Sequence, residues 1–323
     1  VYGESMAGFR GPGGLDTNYQ DFSRSMGVSP YAADGQLLPG VQPASEVTVG
    51  EADRKPPAYG FRLCITQDRT NQLPFPRPAF YDPRNYSLLA REISAWTANT
   101  GSPPVLRDLV SLGALPNGKF DVNNFGAIST DDLGASWGYP GTNAAGRATI
   151  WDAHYEYDAG FFYFLGHDPG VPASLRDEVN SYGLAKDEFT DTQGWPWQLY
   201  VRESRRMLGD YVMTENDLEQ ATSKSDAIGM GSYAIDSHNT QRIPTAAGLA
   251  QNEGDMFEAV QPYQIPYRML LPRATETTNL LVTVCFSASH VAYSSLRMEP
   301  QYMIVGQAAG AAAAAWPTIM YCG

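Results

Sequence analysis

Residues 279–315, NLLVTVCFSASHVAYSSLRMEPQYMIVGQAAGAAAAA, leave the chain few choices. Residues 280–286 form a short apolar run rich in β-branched side chains, the pattern of a strand buried on both faces. A small polar turn follows, Ser287, Ala288, Ser289 and His290. The step Arg297-Met298-Glu299-Pro300 then leads into Gly306-Gln307-Ala308-Ala309-Gly310 and an alanine run, strong helix material. In open α/β folds a strand, a polar turn at its carboxyl end and a helix behind it enclose a ligand crevice. The free N–H groups at such a helix start favour negative charge by roughly 0.3–1 kcal/mol. Alanine with flanking glycines is equally the composition of close helix packing, so these residues alone leave both readings open.

Taken together, Ser287-Ala288-Ser289-His290, Arg297-Met298-Glu299-Pro300 and Gly306-Gln307-Ala308-Ala309-Gly310 closely resemble, in order and spacing, the closing segment of the FAD-dependent oxidoreductase family. The resemblance extends over nearly the whole chain and is strongest from Trp195 onward. It implies an α/β fold: an α+β substrate domain joined to the closing strand and helix of a Rossmann-like FAD domain. Three parts follow from it: 1–14 as a remnant of the FAD-binding domain, 15–270 as an interrupted substrate domain, and 271–323 as the C-terminal strand and helix. It also implies a cofactor-binding set of Ser287, Ser289, His290, Arg297, Glu299, Gly306, Gln307, Ala308 and Ala309, with the polar turn by the ribityl and pyrophosphate portion of FAD and the glycine-bearing helix start at the pyrimidine edge of the flavin. Tyr2-Gly3-Glu4-Ser5 resembles the segment that follows the first FAD-binding βαβ unit in this family.

The largest departure from the family concerns the nucleotide fingerprint. No G-x-G-x-x-G after a strand, with an acidic residue about twenty positions on, occurs anywhere in the chain. The cluster Gly11-Pro12-Gly13-Gly14 has neither the spacing nor a preceding strand, and reads as a loop. Two functions therefore stand side by side. One is a flavoenzyme that passes hydride from an unidentified organic substrate to FAD, this chain being most of the enzyme without the nucleotide fingerprint and expected to bind FAD poorly by itself. The other is a truncated or processed, non-catalytic structural or assembly subunit that keeps the fold and does not hold FAD by itself. The start at Val1, with no methionine, signal or transit segment, suits an internal piece or a processed product and leaves the compartment unassigned.

At 323 residues the chain is long enough for more than one domain. A formal charge of −13 and the lack of a basic cluster argue against a nucleic-acid surface. No apolar run approaches 18 residues, so the chain reads as soluble and not as a membrane protein. A small-molecule substrate is the expected partner, with a homo-oligomer or a missing N-terminal segment left open. Cys64, Cys285 and Cys322 are too scattered for a disulfide framework or a metal site, and Cys285 reads as a small core residue.

Along the chain, 36–57 reads as strands and turns, 61–66 as a strand, 86–96 as a helix and 103–117 as irregular. Residues 119–132, KFDVNNFGAISTDD, resemble a family segment and also suit a rigid polar loop. Residues 147–165 form a long aromatic helix, apolar on both sides, that ends at Asp168-Pro169. A second helix opens at Val171-Pro172 and runs to about 184. Residues 197–202 and 209–213 alternate like paired strands. Arg202, Arg205 and Arg206, with Glu203 and Asp210, make either an anion clamp or a structural ion-pair network.

Histidine alone carries an unperturbed pKa suited to proton transfer near neutrality, and the chain has four. His154 sits inside the aromatic helix and reads as a satisfied core residue, and His167 as a helix-end residue. His290 in the crevice turn, faced by His238 and Asn239 at a polar strand end, is the expected catalytic set. No G-x-S-x-G or H-E-x-x-H occurs.

Overall fold

The computed structural model describes residues 2–11, 20–44, 48–220 and 222–320. Most of the 11–14 glycine cluster and Cys322 lie outside the described residues. The fold is mixed α/β, as expected.

Its first half is built on a five-stranded antiparallel sheet in the order Gln72–Leu73, Gly183–Ala185, Cys64–Thr66, Lys119–Asn124 and Val110–Leu115. Only Cys64–Thr66 of the expected 61–66 strand is in the ladder, and its central Ile65 is fully buried. Val110–Leu115 falls in a stretch read as irregular. Its turn is the cause and the overlooked signal: Asn117 (φ 62°) and Gly118 (φ 69°) both take the left-handed region, where these two residues are tolerated best, and Leu115 pairs with Lys119 across the turn. No strand forms in the described part of 36–57, where the backbone makes a single bridge, Tyr31 to Leu37, at its edge.

Two helices cover this sheet region. Ser87–Thr100 buries Leu88, Leu89 and Ile93. Ala144–His167 starts where the Asn143 side chain accepts from the Gly146 N–H (3.0 Å) and stops at Asp168 before Pro169. Only its second half is buried on both sides, residues 158–166 apart from Tyr163. Phe162 there stacks on Phe75 at 4.5 Å, and Phe161 is fully buried. The helix expected from 172 to 184 is shorter, Ala173–Val179, because Gly183–Ala185 is drawn into the sheet between Gln72–Leu73 and Cys64–Thr66.

A second core gathers Met6, Met213, Leu218, Ile235, Met256, Tyr263, Ile265 and Met269 around the short helix His290–Leu296 and the start of Glu299–Met320. Two two-stranded antiparallel pairs contribute to it, Ile235–Ser237 with Met256–Glu258 and Ala227–Gly231 with Tyr263–Pro266, while a third, Gln241–Pro244 with Ala250–Glu253, buries Ala250 in the first core. The expected strand at 280–286 is absent. Leu280 is 51% and Val284 48% exposed, and Cys285 is exposed rather than in the core. The flanking segments offer isolated hydrogen bonds and no ladder: Val282 N–H to Leu270 O (3.0 Å) and Met207 N–H to Cys285 O (2.7 Å). An apolar run becomes a doubly buried strand only where strands exist on both sides of it. Residues 197–202 and 209–213 likewise form one bridge each, Tyr200 to Gly60 and Met213 to Ala288, instead of pairing with each other. Among the described residues no helix is long and apolar enough to cross a membrane.

The interior carries a titratable carboxyl with a predictable signature. Glu92 is 3% exposed, and its Oε2 has no hydrogen-bond partner among the described residues. Burial pushes its carboxyl up to about 7, against the opposing pull of a Ser25 hydrogen bond and Arg242. The folded state thus holds the proton more tightly than the unfolded chain, so the Glu92 contribution to stability is fully present below about pH 4 and is lost as pH rises through about 7. Denaturant midpoints measured at pH 5 and pH 8 should differ less in Glu92→Gln than in the parent. An unchanged difference would show that Glu92 is ionised in the folded protein.

Candidate functional site

Between the two cores lies an open cleft of about 410 Å³, within the usual range of small-molecule sites. Its chemistry is carried by Glu4, Arg10, Glu203, Arg206, Ser289 and His290.

The turn that presents His290 is held by backbone hydrogen bonds. Ser287 N–H donates to Met269 O (2.9 Å), Met213 N–H to Ser287 O (3.1 Å), and Ser289 N–H to Met213 O (2.8 Å). Ser289 then caps the His290–Leu296 helix, its oxygen accepting from Ala292 N–H (3.1 Å) while its hydroxyl donates to Glu4 Oε1. The Arg206 Nε–H donates to Ala288 O (3.0 Å). With every neighbour fixed, the imidazole is delivered to the cleft wall with its side chain 32% exposed. Gly8 lines the same wall at φ 84°, where an added Cβ would meet Gly50 O at 2.7 Å.

His290 Nδ1 lies 2.6 Å from Glu203 Oε2. An ionised carboxylate only accepts, so Nδ1 carries the proton and Nε2 is left as an unprotonated acceptor. Glu203 also pairs with Arg206. Desolvation of the ring, then the guanidinium groups of Arg206 and Arg10, push the imidazole below its ordinary value. Glu203 pulls the other way at close range, but Arg206 already neutralises it, so the downward direction stands and His290 is neutral at physiological pH.

The other expected site residues separate into groups. Ser287 is fully buried beneath the cleft, its hydroxyl donating to Tyr211 O (2.6 Å) and accepting from Gly209 N–H (3.0 Å). Arg297 is buried and donates to Asp236 O (2.8 Å), away from the cleft lining. Glu299 is exposed and accepts from the Tyr200 hydroxyl (3.3 Å). Gly306 and Gln307 are exposed, Ala308 is half-buried, and Ala309 is buried in the second core. An added Cβ at Gly306 or Gly310 would meet nothing within 4 Å among the described residues, so helix-against-sheet packing is not what these glycines serve there.

His238 and Asn239 do not join His290 on the cleft wall. Both are buried, at 6% and 2% exposure. His238 Nδ1–H donates to Asp131 Oδ2 (2.7 Å), and Asp131 pairs with the buried Arg202 at 3.1 Å. Asn239 is spent on Gln20 (3.3 Å), Asp255 N–H (3.3 Å) and Ala58 N–H (2.9 Å). Burial and then Arg202 depress His238, keeping it neutral. His154, as expected, is a satisfied core residue, Nδ1–H to Ile150 O (2.7 Å). Arg202 and Arg206 are ion-paired, and Arg205 is exposed, so the arginine cluster is a network of pairs rather than a single clamp.

Sequence reasoning reached Glu203 and Arg206 only as members of that charged cluster, and Glu4 only within Tyr2-Gly3-Glu4-Ser5. Arg10 carried no signal of its own, being one charge in a glycine-rich stretch.

The family model described as FAD dependent oxidoreductase matches residues 15–316. The chain belongs to the FAD dependent oxidoreductase family. No curated protein and no solved structure matches it. The cleft is of a size that suits the ring end of FAD, and on its wall the Lys55 ammonium can donate to the carbonyl and nitrogen edge of a flavin, whereas the Ser289 hydroxyl is spent on Glu4 and Arg206 on Glu203 and Ala288 O. For the pyrophosphate the sequence supplies no G-x-G-x-x-G turn.

Proposed function

We propose that this family member oxidises a small organic substrate in the cleft, with His290 taking the substrate proton. Bound FAD would supply the hydride acceptor. Ser289 and His290 line the flavin-ring end, and the exposed face of Gly306, Gln307 and Ala308 is assigned to the cofactor edge, with Ser287, Arg297, Glu299 and Ala309 supporting the turn and helix behind it. The division into 1–14, 15–270 and 271–323 is proposed as one of function, with the middle part covering the substrate and the two ends facing the cofactor. His238 and Asn239 act in this reading through the scaffold, by fixing the loop and strand that flank the cleft.

The observation that carries the proposal is the His290–Glu203 contact. It fixes one tautomer, orients the ring and leaves Nε2 free to accept a proton, the arrangement a general base needs. Glu203 is the positioning residue, held in turn by Arg206.

Occupancy of the cleft by the flavin ring is tested by filling it. Ser204 lines the cleft and is half-buried. Titration of the protein with FAD, followed by the flavin's visible absorbance, should show a bound spectrum that is lost or weakened at least tenfold in Ser204→Trp, with circular dichroism unchanged. Equal binding by both would move the flavin elsewhere. Failure of the parent to bind FAD at all would return the chain to the non-catalytic reading.

A further inference from the structure

The guanidinium of Arg10 is anchored at one end only. Its backbone N–H donates to Glu253 Oε1 (3.1 Å) and its Nη2 donates to Asp255 O (3.2 Å). Nη1 is buried and has no hydrogen-bond partner among the described residues. The nearby acids do not fill that place. Glu253 Oε1 is taken by the Arg10 backbone, and Glu253 Oε2 accepts from Gln241 (2.8 Å). Asp255 is pushed up to about 6 by burial and is still largely ionised at neutral pH, but its Oδ2 makes no hydrogen bond to Nη1. A fixed guanidinium with a buried, idle fork arm on a cleft wall is costly unless a ligand oxygen completes it.

We propose that the cleft takes a substrate bearing a carboxylate, which Arg10 anchors through Nη1 while the carbon to be oxidised lies beside His290. This rests on the reading of the cleft as the substrate site. Several features favour a carboxylate over a phosphate. Four acidic residues, Glu4, Asp53, Glu203 and Glu253, line the cleft beside the basic ones, so a single negative charge is tolerated where a multiply charged group is repelled. Arg206 is committed to Glu203 and to Ala288 O, which leaves Arg10 to offer a free buried donor. Planar carboxylate is also the partner that a guanidinium fork matches best.

The arrangement has a consequence for the base. Arg10 is one of the charges that depress His290. A carboxylate on Arg10 offsets that charge and raises the basicity of His290 when substrate is present, and only then.

Calorimetric titration with benzoate as the probe tests the proposal without flavin or turnover. The parent should bind benzoate, and Arg10→Gln should bind it about ten- to a hundred-fold more weakly, the usual weight of a charge-assisted hydrogen bond. Arg10→Lys should fall between them, keeping charge without the fork. Should Arg10→Gln fail to fold, benzoate should still protect Arg10 of the parent from the arginine reagent phenylglyoxal, read by peptide mass. Equal benzoate affinity in parent and Arg10→Gln, no benzoate binding, an absence of protection, or preferential binding of inorganic pyrophosphate would overturn it. Loss of benzoate binding in Arg10→Gln with normal turnover in His290→Ala would keep the carboxylate site and remove only the base.

Discussion

Replacing His290 by alanine should slow reduction of bound flavin by substrate roughly 10²–10⁴-fold, the usual cost of losing a positioned acid or base, and should leave the flavin bound. Among the described residues the side chain makes one polar contact, with Glu203, and belongs to neither hydrophobic core, so its removal leaves that packing intact. The Ser289 cap, which sets the helix start, is untouched. Glu203→Gln separates orientation from proton acceptance. Glutamine can still accept from Nδ1 through its carbonyl oxygen, but it brings no charge and leaves Arg206 without its partner. Its turnover should fall less than that of His290→Ala, and the acid limb of the kcat pH profile should move to lower pH, because a carboxylate that favours the imidazolium is gone. Single-turnover bleaching of oxidised-flavin absorbance measures both variants. Near-normal bleaching in His290→Ala would remove His290 as the base. An unmoved pH profile in Glu203→Gln would reduce Glu203 to a structural ion-pair partner.

Part of the cleft was legible in the sequence: of the residues expected at a site, Ser289 and His290 reach its wall. His290 drew notice because three short motifs in fixed order singled out one turn, and the serines around it left it as the first bulky polar side chain. The long helix was legible from its own periodicity and from Asn143 and Asp168-Pro169 at its ends, which are local signals. What failed depended on non-local partners. Residues 280–286 have the composition of a buried strand, but the ladder that would bury them is not supplied by 207–213 or 269–271, and Leu280 and Val284 face solvent. Gly183–Ala185 looked like the end of a helix because its sheet partners, at 64–66 and 72–73, lie over a hundred positions away. Glu203 beside His290 and Glu4 beside Ser289 are likewise contacts at separations of 87 and 285 residues, which no periodicity reports. Residue type misled in one case. His238 and Asn239 carry the same chemistry as a site pair, and only their burial and their spent hydrogen bonds distinguish them from one.

That distinction predicts a large effect on stability rather than on rate. Asp131, Arg202 and His238 are 4%, 5% and 6% exposed, a charged pair and a neutral imidazole sealed together beneath the cleft. Arg202 donates to Ala58 O (2.7 Å) and Asn123 Oδ1 (3.3 Å), but its only counter-charge among the described residues is Asp131 at 3.1 Å, held as an ion pair without an aligned hydrogen bond to Oδ1. Asp131→Ala strands a buried guanidinium, which no protein pH range discharges, and should cost about 3–5 kcal/mol of unfolding free energy. His238→Ala removes one hydrogen bond from a neutral group and should cost less, about 1–3 kcal/mol. The pH dependence gives a second check. Burial pushes the Asp131 carboxyl up, but Arg202 and then His238 outweigh it and hold the group below its ordinary range. Its contribution is therefore fully present above about pH 4 and is lost as pH falls through the depressed folded value. Urea midpoints of parent and Asp131→Ala should accordingly lie far apart at pH 7 and converge in acid. A loss under 1 kcal/mol at pH 7 would mean that Arg202 finds another counter-charge. A His238→Ala protein of parental stability with reduced turnover would move His238 from the scaffold back to the reaction.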